Sequence, residues 1–347
     1  MFPKVKNHTK KKKRPLLIIL LYLAIILFFI WLLVVLLLVF YFGRIEIEEE
    51  PLQNRVFSVS ELKKNELEVS SNLPDPLDEK NEPKVRLDQP DREEFKPAMI
   101  DLLKDRSFDR ESFDAIFEKM KSPKIVPKDS MHSTFGKDVI YIYHTHNRES
   151  FLPYFNETDK PKDAYHSKAN ITLVGQMLGK ALEKRGVGTK VDSTDIVQEL
   201  SIKGLDFNSS YKLSGDRVRS ARIENKDLEI FLDVHRDSLR KGSTTIEMNG
   251  ESFARLLFVV GTGHESYAKN LSFTEGIHKL LATHYPGLSK GIITKDSSQG
   301  NGVYNQDISP SSVIVEIGGV DNTIEELHRT TEALADILSD YYWHSEK

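Results

Sequence analysis

The stretch that decides the fold is Val139-Ile140-Tyr141-Ile142-Tyr143-His144-Thr145-His146. Five consecutive β-branched or aromatic residues make a strand with no polar face, as in a sheet covered on both sides. Two imidazoles follow at its end. Three further runs have the same character: Ile230-Phe231-Leu232-Asp233-Val234, Leu256-Leu257-Phe258-Val259-Val260 before Gly261, and Ser312-Val313-Ile314-Val315. Helical patterns lie between and after them. Asn170 caps a segment carrying Leu173, Val174, Met177, Leu178, Ala181 and Leu182 that stops at Gly186. Others span about 212–224, 266–284 and 323–342. Continuous apolar strands alternating with helices imply an α/β fold: a mostly parallel twisted sheet flanked by helices.

In such sheets ligands bind beyond the carboxyl ends of the strands. Three of these ends carry chemistry: His144-Thr145-His146 with Glu149, then Asp233-Val234-His235-Arg236-Asp237, then Glu316-Ile317-Gly318-Gly319. The chain has no cysteine, so a metal must be held by His, Asp or Glu. Two imidazoles and a carboxylate suit a catalytic Zn2+, which keeps one position open for water. A further carboxylate can then act as general base.

The bland alternatives stand beside each residue. His144 and His146 alternate, so on a strand they share a face, where one can bind metal while the other lines the pocket. Glu149 reads equally as a solvated loop carboxylate or as a ligand. Asp233 either orients the free nitrogen of His235 or pairs with Arg236 or a backbone amide. Glu316 closes an apolar run, and a carboxylate is costly beside a core without a task. His8, His132, His166, His264, His278, His284, His328 and His344 have no comparable setting and read as surface or structural.

The N-terminus reads differently. Lys10-Lys11-Lys12-Lys13-Arg14 precede an uncharged run, Leu16 to Phe42, followed by Arg44 and the acidic Glu46, Glu48, Glu49 and Glu50. About 20 apolar residues cross a bilayer. The run is too long for a signal-peptide core, and no small-residue cleavage site follows it. The expectation is a basic cytoplasmic tail (1–14), a single transmembrane helix (15–42), an acidic, proline-punctuated linker with short helices (43–134), and a catalytic domain (135–347). The positive-inside rule puts that domain outside the cell membrane. The net charge of −4 excludes a general nucleic-acid binder.

Taken in order, the segments Ile142–His146 with Glu149-Ser150-Phe151, Asp233–Ser238, Tyr304-Asn305-Gln306-Asp307, and Val315–Gly319 with Asn322 and Glu325-Glu326 resemble the stage II sporulation protein P family of spore-forming bacteria. That family is in turn similar to zinc-dependent N-acetylmuramoyl-L-alanine amidases. The resemblance favours His146 over His144 as a ligand, matches His235 to the second histidine, and makes Glu316 the catalytic glutamate. In those amidases the ligand glutamate lies further along the chain; the nearest candidate here is Glu149, three residues after His146. It implies peptidoglycan hydrolysis in sporulation and engulfment, with amidase and also endopeptidase activity, and stage II sporulation proteins D and M as partners. Two other readings compete: a different zinc wall hydrolase, such as a peptidase or deacetylase, and a non-catalytic wall-binding scaffold.

Overall fold

The computed structural model describes Phe28, residues 97–109 and residues 132–344. Apart from Phe28, the expected tail, anchor and most of the linker lie outside the described residues. Among the described residues, no helix is long and apolar enough to cross a membrane.

Six strands form one sheet in the order β2-β1-β3-β8-β6-β7: β1 (Asp138–Tyr143), β2 (Gly188–Val191), β3 (Ile230–Asp237), β6 (Leu256–Gly261), β7 (Ser289–Lys295) and β8 (Ser312–Gly319). Every pairing is parallel except β6 against β8, so the expected mostly parallel sheet is present, with β6 and β7 reversed at one side. A separate hairpin joins β4 (Thr245–Met248) to β5 (Glu251–Ala254).

The residues of β3 are all buried, which follows from a central strand covered on both faces. One face presents Ile140, Ile142, Leu232, Val234, Phe258, Val260, Val313 and Val315. Against it pack α2 (Ile171–Glu183), α6 (Tyr267–His284) and α7 (Ile324–His344). Asn170 caps α2, its side chain accepting from the Thr172 amide at 3.0 Å. The opposite face presents Tyr141, Tyr143 and Phe231, covered by Val218 and Ala221 of α4 (Ser210–Glu224). Two short helices, α3 (Ile196–Lys203) and α5 (Lys241–Thr244), complete this part.

Residues 97–109 fall in the span read as linker, yet they pack on this unit. Leu102 of α1 (Met99–Leu103) is buried with Tyr165 and Val197, and Met99 and Phe207 pack against that cluster. Arg148 donates to the Leu102 carbonyl at 2.9 Å, and Arg106 pairs with Asp163 at 2.8 Å. Phe108 forms a β-bridge with Phe155 and stacks on His166.

Candidate metal centre

β1 stops at Tyr143 because the next residues turn toward β3. The Thr145 amide donates to Asp233 Oδ1 at 2.8 Å, and its hydroxyl donates to Oδ2 at 2.6 Å. This turn separates the two histidines. The expected alternation along a strand ends before it reaches them, so they do not share a face.

His144 packs under α2. Its Nδ1 lies 3.0 Å from the Asp192 carbonyl, and a Cβ on Gly175 would run into its ring. Burial pushes its pKa down to about 4, partly offset by the Asp192 carbonyl and the Asp233 charge. The ring is therefore neutral and structural, with Nδ1 carrying the hydrogen.

His146 instead meets Glu149 and His235. One donor atom from each of the three lies within 4.8 Å of the others. His146 Nδ1 is 3.6 Å from Glu149 Oε1, and His235 Nδ1 is 3.5 Å from Glu149 Oε2. Ligands about 2.0–2.1 Å from a tetrahedral zinc stand about 3.3 Å apart, so two imidazoles and a carboxylate within 4.8 Å of one another suit such an ion in kind and number, and would draw closer around it. Among the described residues this is the only such cluster of three.

Each donor is held from behind. Asp233 Oδ1 approaches His235 Nε2 to 3.0 Å, off the best hydrogen-bond line, which leaves Nδ1 facing the cluster. Because a carboxylate only accepts, Thr145 donates to Asp233, Ser214 donates to Thr145 at 2.8 Å, and Asn305 donates to Ser214 at 3.0 Å. The Arg236 amide donates to Glu149 Oε2 at 3.0 Å. Its guanidinium does not serve Asp233; it ties down the loop after Glu149 through the Ser150 and Ala164 carbonyls, both at 2.9 Å. His146 is stacked on Phe207, ring centroids 4.5 Å apart.

Electrostatics point the same way. Burial disfavours charge on His235, but Asp233 and Glu149 outweigh it and hold its pKa well above the ordinary value. Burial likewise disfavours the Glu149 carboxylate, and His235, His146 and Arg236 outweigh it, holding its pKa far below the usual range. Two carboxylates around one imidazole thus create a place for positive charge.

Glu316 is not in the cluster of three. It lies inside β8, half-buried, as the register partner of His235 on β3 and of Leu257 on β6. Parallel neighbours in register point to the same face, so its carboxylate stands on the side of the sheet that carries His235. Tyr211, in the first turn of α4, also borders the site and was not singled out in the sequence. Its ring lies edge-on to His146 at 5.4 Å and to Tyr304 at 5.3 Å. A tyrosine opening a helix carries no distinguishing sequence signal.

The model of the family described as Stage II sporulation protein P matches residues 44–339. Stage II sporulation protein P of Bacillus subtilis (strain 168) is 47% identical over 221 residues, which is 63% of this chain and 55% of that protein. The chain thus spans about half the length of that curated relative. Among solved structures, an N-acetylmuramoyl-L-alanine amidase from Clostridium difficile 630 is similar at 9% identity and a TM-score of 0.35, covering 61% of this chain and 100% of its own. A metallo-carboxypeptidase from Burkholderia cenocepacia is similar at 13% identity and a TM-score of 0.35, covering 64% and 59%. Likeness at that level carries no argument about chemistry; the sequence match over most of the chain does carry the family, and the chain belongs to the stage II sporulation protein P family.

Proposed function

We propose that this chain is a zinc-dependent peptidoglycan hydrolase of sporulation, an N-acetylmuramoyl-L-alanine amidase. The observation that carries the reading is the convergence of His146, Glu149 and His235 beside Glu316. Membership of a family named for sporulation supports the setting. The apolar run 15–42 would hold the chain at the cell membrane, with the catalytic domain outside, and stage II sporulation proteins D and M are the partners expected there.

His146, Glu149 and His235 would hold the Zn2+, with one coordination position left open. The ion when bound supplies Lewis-acid polarisation of a water and of the scissile carbonyl. Glu316 accepts the proton of the attacking water and returns it to the departing amide nitrogen. The water oxygen adds to the lactyl carbonyl carbon, the carbon–nitrogen bond breaks, and the stem peptide leaves with a free L-alanine amine. Asp233 keeps the His235 ring oriented while this happens, and Arg236 keeps Glu149 in place.

Digestion of purified peptidoglycan by the full chain, followed by mass analysis, tests the reading. Stem peptides with free N-terminal alanine are expected. Cuts within the stem would make it an endopeptidase, and intact peptidoglycan with stoichiometric zinc bound would overturn the hydrolase reading.

A further inference from the structure

We infer that Asn305 is a positioning residue for the metal centre: its side-chain amide sets the direction of a buried hydrogen-bond chain that ends on Asp233, behind the His235 imidazole. The inference rests on the metal reading of His146, Glu149 and His235 given above.

The contacts run from Asn305 through Ser214 and Thr145 to Asp233, and all four residues are buried. Asn305 Nδ2 lies 3.0 Å from Ser214 Oγ, Ser214 Oγ lies 2.8 Å from Thr145 Oγ1, and Thr145 Oγ1 lies 2.6 Å from Asp233 Oδ2. Each hydroxyl has one hydrogen, so the links are not independent. Thr145 commits its hydrogen to Asp233. Ser214 has two acceptors in reach, Thr145 and, at 3.3 Å, the Tyr211 carbonyl. An N–H arriving from Asn305 leaves the Ser214 hydrogen free to meet Thr145. An acceptor in the same place would draw that hydrogen away. Ser214 would then compete with Asp233 for the single hydrogen of Thr145. The choice between donor and acceptor at position 305 is thus felt at Asp233, three links away.

Two features hold the amide with its donor toward Ser214. The first is Gly215, in the interior of α4, where a glycine weakens the helix. Asn305 Oδ1 rests against it, and a Cβ there would stand 2.5 Å from that oxygen. The glycine leaves room for the amide oxygen beside the residue that receives the amide nitrogen. The second is the turn that carries the amide. Tyr304 and Asn305 are consecutive non-glycine residues with left-handed backbones, φ 54° and 59°. Such backbones persist only where the surroundings over-determine them. Asn301 accepts from the Tyr304 amide at 2.6 Å. Gln306 receives the Gly261 amide and donates to the Val259 carbonyl, both at 2.9 Å. Asn270 donates to the carbonyls of Gln306, Ser309 and Ser312. Asp307 pairs with Arg219 of α4 at 3.3 Å. Gln306 and Asp307 therefore dock the turn on β6 and α4, and Asn305 between them delivers the donor.

The test is a double-mutant cycle in the full chain, read as zinc affinity by competition against a chromophoric chelator. Asn305→Asp keeps the shape and removes the donor. Ser214→Ala removes the hydroxyl through which the change must travel, while Thr145 can still donate to Asp233. Asn305→Asp should therefore weaken zinc binding about 3- to 10-fold more with Ser214 present than in the Ser214→Ala background, the size of one hydrogen bond. The charge of the new carboxylate is common to both backgrounds and cancels. A residue that merely braced the turn would change zinc affinity equally in both, and equal effects overturn the inference. Gly215→Ala keeps the test decisive should Asn305→Asp fail to fold. Its methyl group pushes the amide off Ser214 while raising helix propensity. Zinc affinity should again fall about 3- to 10-fold, and an unchanged affinity overturns the inference. If the unsubstituted chain binds no zinc, the metal reading itself fails, and the role given to Asn305 falls with it.

Discussion

His235 and Glu316 are register partners on adjacent parallel strands, so an imidazole and a carboxylate stand side by side on one face of a buried sheet. Their sequence separation is large, but the sheet order sets β3 against β8 directly. The rest of the site assembles around this pair: the turn after β1 brings His146 and Glu149, and α4 closes over them.

His146→Ala and His235→Ala should each abolish tight zinc binding, since the loss of one of three protein ligands leaves too few for a stable site. His144→Asn should retain zinc, because His144 lies under α2 against Gly175. Metal content by mass spectrometry decides it. Zinc lost from the His144 variant and kept in the His146 variant would reverse the assignment.

Asp233→Asn keeps the shape but removes the charge that orients His235 and accepts from Thr145. Partners of this kind typically change metal affinity by about 10–100-fold. Competition against a chromophoric chelator should show a loss of that size, and an unchanged affinity would remove Asp233 from the account.

Residues 97–109 should matter to the metal although none of them touches it. Leu102 packs in the cluster against which Phe207 lies, and Phe207 stacks on His146. Leu102→Ala should lower stability by about 2–4 kcal/mol, as for a buried large-to-small change, and weaken zinc binding with it. Denaturant unfolding with and without zinc is the measurement. A variant with wild-type stability would show that this segment merely rests on the surface.

The His144 titration gives a pH dependence. Its folded pKa, about 4, lies below the ordinary 6.5. The unfolded chain therefore binds the proton first, and stability rises with pH across that window. The contribution is complete above about pH 6.5 and is lost as pH falls toward 4, by up to about 3 kcal/mol. Comparing unfolding of the wild type and His144→Asn in chelator isolates this group. Parallel stability curves for the two proteins between pH 4 and 7 would contradict it.

Much of this was legible in the sequence, for physical reasons. β1, β3, β6 and β8 are central or near-central strands, and burial on both faces writes them as unbroken apolar runs. β2 and β7 are edges: Gly188-Thr189-Lys190-Val191 and Ser289–Lys295 are half-polar and leave no such run. The β4–β5 hairpin carries a local signal of its own. Asn249-Gly250, with φ 54° and 79°, is the dipeptide that a tight hairpin turn favours. At the site, the expected strand ends led to His146, His235 and Glu316, but β3 and β8 run on to Asp237 and Gly319, and it is their register that sets His235 beside Glu316. The strand pattern gave no means of separating His144 from His146, since their alternation holds only while the strand continues, and Thr145 ends it by turning to Asp233. Tyr211 was invisible because only the fold brings it against His146 and Tyr304, both far from it in sequence.

The central claim is that Glu316 moves the proton while His146, Glu149 and His235 hold the metal. Zinc content and peptidoglycan cleavage measured on one preparation of Glu316→Gln test it most directly. Glutamine keeps the shape and can still hydrogen-bond a water, yet cannot take its proton. Losing a positioned general base costs about 10²–10⁴ in rate. The account predicts full zinc occupancy, an unchanged fold and a loss of that order. Zinc falling in step with activity would make Glu316 a ligand, and undiminished cleavage would contradict the mechanism itself.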